Sequence, residues 1–144
     1  MDQIAFACAS KHSGHYCVTA NVSSVDFLNP IEIGELVTMK ASINYVGSSS
    51  MVVGIRVDSE NIRSGEKKHC NSSFFTMVAK KNDGSTARNI PGLILKNKTD
   101  VRRFVEALNR KEHKKTREAK FDDAQFNPDP YLDKLSNYNL KVEL

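Results

Sequence analysis

Few residues of this 144-residue chain have the type and spacing for covalent chemistry. Asp2 is the first. It heads an apolar stretch, Met1 to His12, in which Ile4, Ala5, Cys8 and Ala9 follow helical spacing. Taken alone, an aspartate near a helix start caps the helix or stabilises its dipole. His12 and His15 end that stretch without a paired cysteine nucleophile, and read as structural. Cys8, Cys17 and Cys70 are odd in number and contain no CxxC pair. That excludes a disulfide framework and gives no zinc spacing. The thiols read as small core residues of a protein in a reducing, cytoplasmic compartment. Ser48, Ser49 and Ser50 follow Gly47 and make a hairpin turn.

The elements that position these groups follow from periodicity. Phe6 and Ala7 make the first helix apolar nearly all round, which predicts burial. Gly14 suits its left-handed cap. Four strands are expected at Cys17 to Leu28, Leu36 to Val46, Met51 to Glu60 and Lys68 to Lys80. The cleanest alternation sets Val37, Met39, Ala41, Ile43 and Tyr45 against Thr38, Lys40, Ser42 and Asn44. The links are too short for crossover helices, so the sheet is expected to be antiparallel, with one face buried. The simplest α+β arrangement wraps this sheet around the apolar helix. Pro91 closes the unit, giving a folded domain over 1–91. A C-terminal region over 92–144 follows, holding a helix from Thr99 to Ala119 and an extended tail. Thr99 or Asp100 is the expected N-cap of that helix. Its expected apolar stripe is Val101, Phe104, Val105 and Leu108.

Hydrophobic residues make up 40% of the chain and charged residues 26%, ordinary values that argue against disorder over the whole length. The net charge of +4 is unevenly spread. The segment 96–120 holds ten basic residues and four acids, leaving the remainder mildly acidic. A basic run on a helix is a solvated face or an anion-binding one. Aromatic residues are not interleaved with it apart from Phe104, so nucleic-acid stacking is not expected. No apolar run approaches the roughly 18 residues of a membrane span. The start lacks the basic residues of a secretory signal.

The stretch from Met1 to Pro91 resembles the hotdog-fold acyl-CoA thioesterases, in particular the cytosolic acyl-CoA hydrolase branch. The resemblance is carried by Met1-Asp2-Gln3-Ile4-Ala5, Ala9-Ser10-Lys11-His12 and Val18-Thr19-Ala20-Asn21-Val22. It continues through Val25-Asp26-Phe27-Leu28-Asn29-Pro30-Ile31, Ile33-Gly34-Glu35-Leu36-Val37, Val46-Gly47-Ser48-Ser49-Ser50-Met51, Gly65-Glu66 and Phe74-Phe75-Thr76-Met77-Val78-Ala79. These segments fall in family order with family spacing over about ninety residues.

The resemblance implies a hotdog fold and hydrolysis of fatty acyl-CoA to a free fatty acid and CoA, with no metal or cofactor. It makes Asp2 the catalytic carboxylate, which orients and deprotonates water or attacks as a nucleophile. It places Thr19 and Asn21 on the strand near the thioester. It offers Ser48, Ser49 and Ser50 as donors to CoA. It implies a homo-oligomer, a dimer of hotdogs assembled into a trimer of dimers, with neither nucleic acid nor membrane as partner. In the family a strand, an Asn and a Gly-Gly turn precede the helix. This sequence opens inside the helix. The expectation is therefore a shortened version of a longer protein, or a product without half its site. The second case corresponds to a non-catalytic binder of acyl-CoA or another ligand.

Overall fold

The computed structural model describes residues 1–120 together with Asn127, Asp129 and Pro130. The expected tail arm lies outside the described residues. Helix α1 spans Asp2–Ser13. Strands β1 (Tyr16–Phe27), β2 (Glu35–Val46), β3 (Ser50–Asn61) and β4 (Lys67–Lys80) follow, and then helix α2 (Lys98–Lys120). Gly14 ends α1 at φ 70°, where its lack of a Cβ removes the steric penalty.

The strands form one antiparallel sheet in the order β1-β4-β3-β2. Side-chain alternation gives the sheet two unlike faces. Met51, Val53, Ile55 and Val57 of β3, with Phe75, Met77 and Ala79 of β4, form the core against Ala5 and Ala9 of α1. The other face carries Lys40, Ser42, Asn44, Gly54, Arg56, Ser72 and Phe74. We call these the helix face and the outer face.

The expected burial of α1 is realised on one side only. Ala5, Ala9 and Ser13 are buried, whereas Gln3, Ala7 and Lys11 are exposed. One sheet can cover only one side of a helix, so an all-round apolar helix needs a second cover.

The described residues divide into two units, Met1–Arg110 and a second that begins at Lys111. In the first, the start of α2 packs on the outer face. Phe104 lies 5.3 Å from Tyr45, ring centre to ring centre, and the Arg110 guanidinium sits 3.6 Å over the Phe74 ring. Ala107 is buried beneath them. The expected stripe is therefore rotated. Phe104 and Leu108 are half-buried, but Val101 and Val105 are exposed. In the second unit, Lys114 pairs with Glu118 along the helix.

The N-cap also differs from expectation. Asn97 Oδ1 accepts the Asp100 N–H at 3.0 Å, while Asp100 Oδ2 reaches back to the Lys96 N–H at 3.0 Å. Asn97 is thus the N-cap, before Thr99, and Asp100 returns a bond to the residue ahead of the cap, a variant of the capping box. Asn97→Ala should cost about 1 kcal/mol, read as a lower urea midpoint with an unchanged slope. An unaltered midpoint would mean that the cap is not needed to hold α2.

Candidate active site

Asp2 stands in the first turn of α1, where the backbone is already committed to the helix. Met1 O accepts the N–H groups of Ile4 and Ala5, both at 3.1 Å. The Asp2 and Gln3 amides therefore stand free at the helix start, as the first N–H groups of any helix do. The Thr19 hydroxyl, one strand away on β1, donates to Asp2 Oδ1 at 2.5 Å. Met77 Sδ lies 3.3 Å from the same hydroxyl and backs it from the core. These residues line a cleft of about 310 Å³ with Gln3, Phe6, Tyr16, Cys17 and Val18. The Phe6 and Tyr16 rings meet edge to face at 5.2 Å and form its apolar wall.

The chemistry available here is specific. A carboxylate with one oxygen fixed by Thr19 keeps the other for water or for a carbonyl carbon. The free amides at the helix start can stabilise an oxyanion. Phe6 and Tyr16 offer a surface for a hydrocarbon chain.

The structure brings together Asp2 and Thr19 of the residues singled out from sequence. It does not bring Asn21 to them. A β-bulge falls between Thr19 and Asn21, so Thr19 pairs with Met77 but Asn21 pairs with Thr76. Partners across a ladder share a face, so the bulge turns Asn21 to the outer face, where its amide donates to Ser23 Oγ at 3.1 Å. The serine loop also stays apart from the Asp2 cleft within the protomer. Gly47 N–H donates to Ser50 O at 2.7 Å and Ala79 N–H to Ser49 O at 2.9 Å, which makes Ser48 to Ser50 a pinned hairpin turn. His12 is structural: its Nε2 meets Pro91 O at 2.8 Å and ties the helix end to the loop after β4. The three cysteines are free. Burial raises the Cys8 pKa, with Lys11 pulling weakly the other way, so this thiol is a poor nucleophile.

Sequence spacing missed Met77 as the support of Thr19. It also missed a polar chain on the outer face, where Arg56 Nε donates to Asp58 Oδ1 at 2.8 Å. His69 Nδ1 lies 3.1 Å from the same Asp58 oxygen, and His69 Nε2 lies 2.9 Å from Ser72 Oγ. Burial works against the Asp58 charge, but hydrogen bonds from His69 and Arg56 outweigh it and hold the carboxyl below its usual range. A carboxyl more acidic folded than unfolded adds stability above its unfolded value, about 3.9, and loses it as pH falls through the lower folded value. Urea melts from pH 7 to pH 2.5 should therefore show a shallower acid loss for Asp58→Asn than for the wild type. Parallel curves would deny the carboxylate this role.

Known proteins resemble this chain in sequence and fold. The family model described as the thioesterase superfamily matches residues 1–66. The protein VdlD of Helicobacter pylori is 43% identical over 112 residues, covering 78% of this chain and 63% of its own length. The chain thus spans less than two thirds of that relative. The crystal structure of an apo-hexameric acyl-CoA thioesterase superposes with a TM-score of 0.78 at 34% identity, over 82% of this chain and 75% of that one. An acyl-CoA hydrolase from Staphylococcus aureus, solved with butyryl coenzyme A and coenzyme A, gives a TM-score of 0.75 at 30% identity, over 85% and 74%. Solved variants of that hydrolase replace with alanine an aspartate and a threonine. Those two residues lie 17 positions apart, the separation of Asp2 and Thr19. The hotdog helix-on-sheet fold and these similarities agree, and the chain belongs to the acyl-CoA thioesterase family of the thioesterase superfamily.

Proposed function

We propose that the protein hydrolyses fatty acyl-CoA to a free fatty acid and CoA, with Asp2 as the catalytic carboxylate and Thr19 as its positioning residue. The observation that carries this is the 2.5 Å hydrogen bond from Thr19 Oγ1 to Asp2 Oδ1 at an apolar cleft and a helix start. With one oxygen fixed, the other takes a proton from water as the water oxygen bonds to the thioester carbon. The carbon–sulfur bond then breaks, and the CoA thiolate leaves and is protonated. The acid product keeps the new oxygen. Ser48, Ser49 and Ser50 are proposed to meet CoA carried by an adjacent protomer, since within one protomer they stand apart from Asp2. Asn21 has no part in the reaction as proposed.

The mechanism uses no metal or cofactor. Among the described residues no group of three or more His, Cys, Asp or Glu side chains has metal-binding geometry. Thiol release from butyryl-CoA should be the same with and without a chelator. Abolition by the chelator would overturn the carboxylate mechanism.

The same reading includes assembly. The uncovered side of α1 and the exposed Val22, Val25 and Phe27 of edge strand β1 form a surface that a second copy covers. The solved relative described as hexameric supports an assembly of six, which we read as a trimer of dimers. Light scattering at micromolar concentration should give a mass several times 16.1 kDa. A stable monomer would contradict it. We place the protein in the cytoplasm, a reading supported by its free thiols. No helix among the described residues is long and apolar enough to cross a membrane.

A further inference from the structure

The outer face holds a second cleft, of about 400 Å³, on the side of the sheet away from α1 and Asp2. Its volume falls within the range of about 300–1,000 Å³ typical of small-molecule sites. Cross-strand register builds its floor. Lys40 of β2 pairs with Arg56 of β3, which pairs with Ser72 of β4. In the next row Ser42 pairs with Gly54, which pairs with Phe74. Gly54 leaves a gap between two side chains, and the Asn44 amide fills it. A Cβ at Gly54 would run into Asn44 Nδ2. Asn44 is 4% exposed, and its Oδ1 accepts from Ser42 Oγ at 2.9 Å. The amide is thereby oriented with its N–H donors over the glycine, and they have no acceptor among the described residues.

The charges around this donor are unequal. Arg56 is offset by Asp58 and Arg102 by Glu106. Lys40 and Arg103 have no carboxylate partner among the described residues. An oriented amide donor lining a cleft between two unbalanced cations is an arrangement for an anion with several acceptor oxygens.

We propose that this cleft binds a phosphoryl group, with Asn44 donating from the floor and Lys40 and Arg103 closing on it from the sheet and from α2. The site stands apart from the Asp2 cleft, because Lys40 and Asn44 lie on the outer face of the sheet and Arg103 on α2 above it. Two sources share this chemistry: a free phosphorylated metabolite, and the phosphates of CoA on an acyl-CoA held by another protomer.

Inorganic pyrophosphate titrated into the protein by calorimetry is the test. Saturable binding is expected. Lys40→Gln and Arg103→Gln should each weaken it about tenfold, as loss of a charge-assisted contact does. Asn44→Asp, which keeps the shape and sets a carboxylate against the ligand, should abolish it. Arg63→Gln, on the exposed turn after β3, should leave it unchanged and controls for net charge. Asp2→Asn should also bind normally, which separates this site from the thioesterase reading. If Lys40→Gln and Arg103→Gln raise the Michaelis constant for acyl-CoA, the phosphoryl group is that of CoA. If they leave it unchanged, the ligand is a separate phosphate compound. Unsaturable binding, or an equal loss in Arg63→Gln, would reduce the effect to general surface charge and overturn the site.

Discussion

Asp2→Asn is expected to lower the turnover number for acyl-CoA by about 10²–10⁴-fold, the usual contribution of a positioned general base. Asparagine keeps the side-chain shape, and its Oδ1 still accepts from Thr19 at the 2.5 Å position. What it loses is the ability to take a proton from water. The Michaelis constant should change little, because the cleft's apolar wall of Phe6 and Tyr16 is untouched. Such a split, turnover down and affinity kept, marks an interaction made only in the transition state. Wild-type turnover in Asp2→Asn would return Asp2 to the role of a helix-end acid.

Met77→Ala is expected to cost about 2–5 kcal/mol of folding stability, a large share of the roughly 5–15 kcal/mol available to a domain. Met77 is 1% exposed and sits in the core among Phe75, Ala79, Val53 and Met51. Truncation empties volume that close-packed neighbours refill only in part. The same change removes the sulfur behind Thr19, so the remaining folded protein should turn over more slowly. Met77→Leu keeps most of the volume and should cost less than about 1.5 kcal/mol, as read from urea midpoints. Equal midpoints for the two variants would mean that the core collapses around position 77 without penalty.

Much of this architecture is legible in the sequence, because one-sided alternation is strong in β2 and β3. The four expected strands match the observed ones to within one residue at every end. Alternation cannot reveal a bulge, however. The extra residue at Ala20 sends Thr19 and Asn21 to opposite faces, and so one of two residues assigned to the site lies elsewhere. The docking face of α2 is only half legible, for a different reason. Apolar spacing selects Val101, Phe104, Val105 and Leu108, and only Phe104 and Leu108 are half-buried; the helix docks also through Ala107 and the stem and guanidinium of Arg110, a polar residue that periodicity assigns to solvent. The cap is not legible, because Asn97, Thr99 and Asp100 are all suitable caps and only geometry chooses Asn97 among them. Asp2 was legible as an acid at a helix start. Its Thr19 partner acquired a role only through family resemblance, since the two are 17 residues apart. The outer cleft was invisible, because Lys40, Asn44 and Arg103 meet only through strand register and the docking of α2.

The most direct measurement of the proposed chemistry is product stoichiometry from a labelled acyl-CoA incubated with the wild-type protein. Hydrolysis at the Asp2 carboxylate should release one equivalent of CoA thiol and one of free carboxylic acid for each thioester consumed, over many turnovers. A protein that retains intact acyl-CoA at a fixed ratio, with neither thiol nor acid appearing, would be a binder that does not cleave, and would contradict the thioesterase reading.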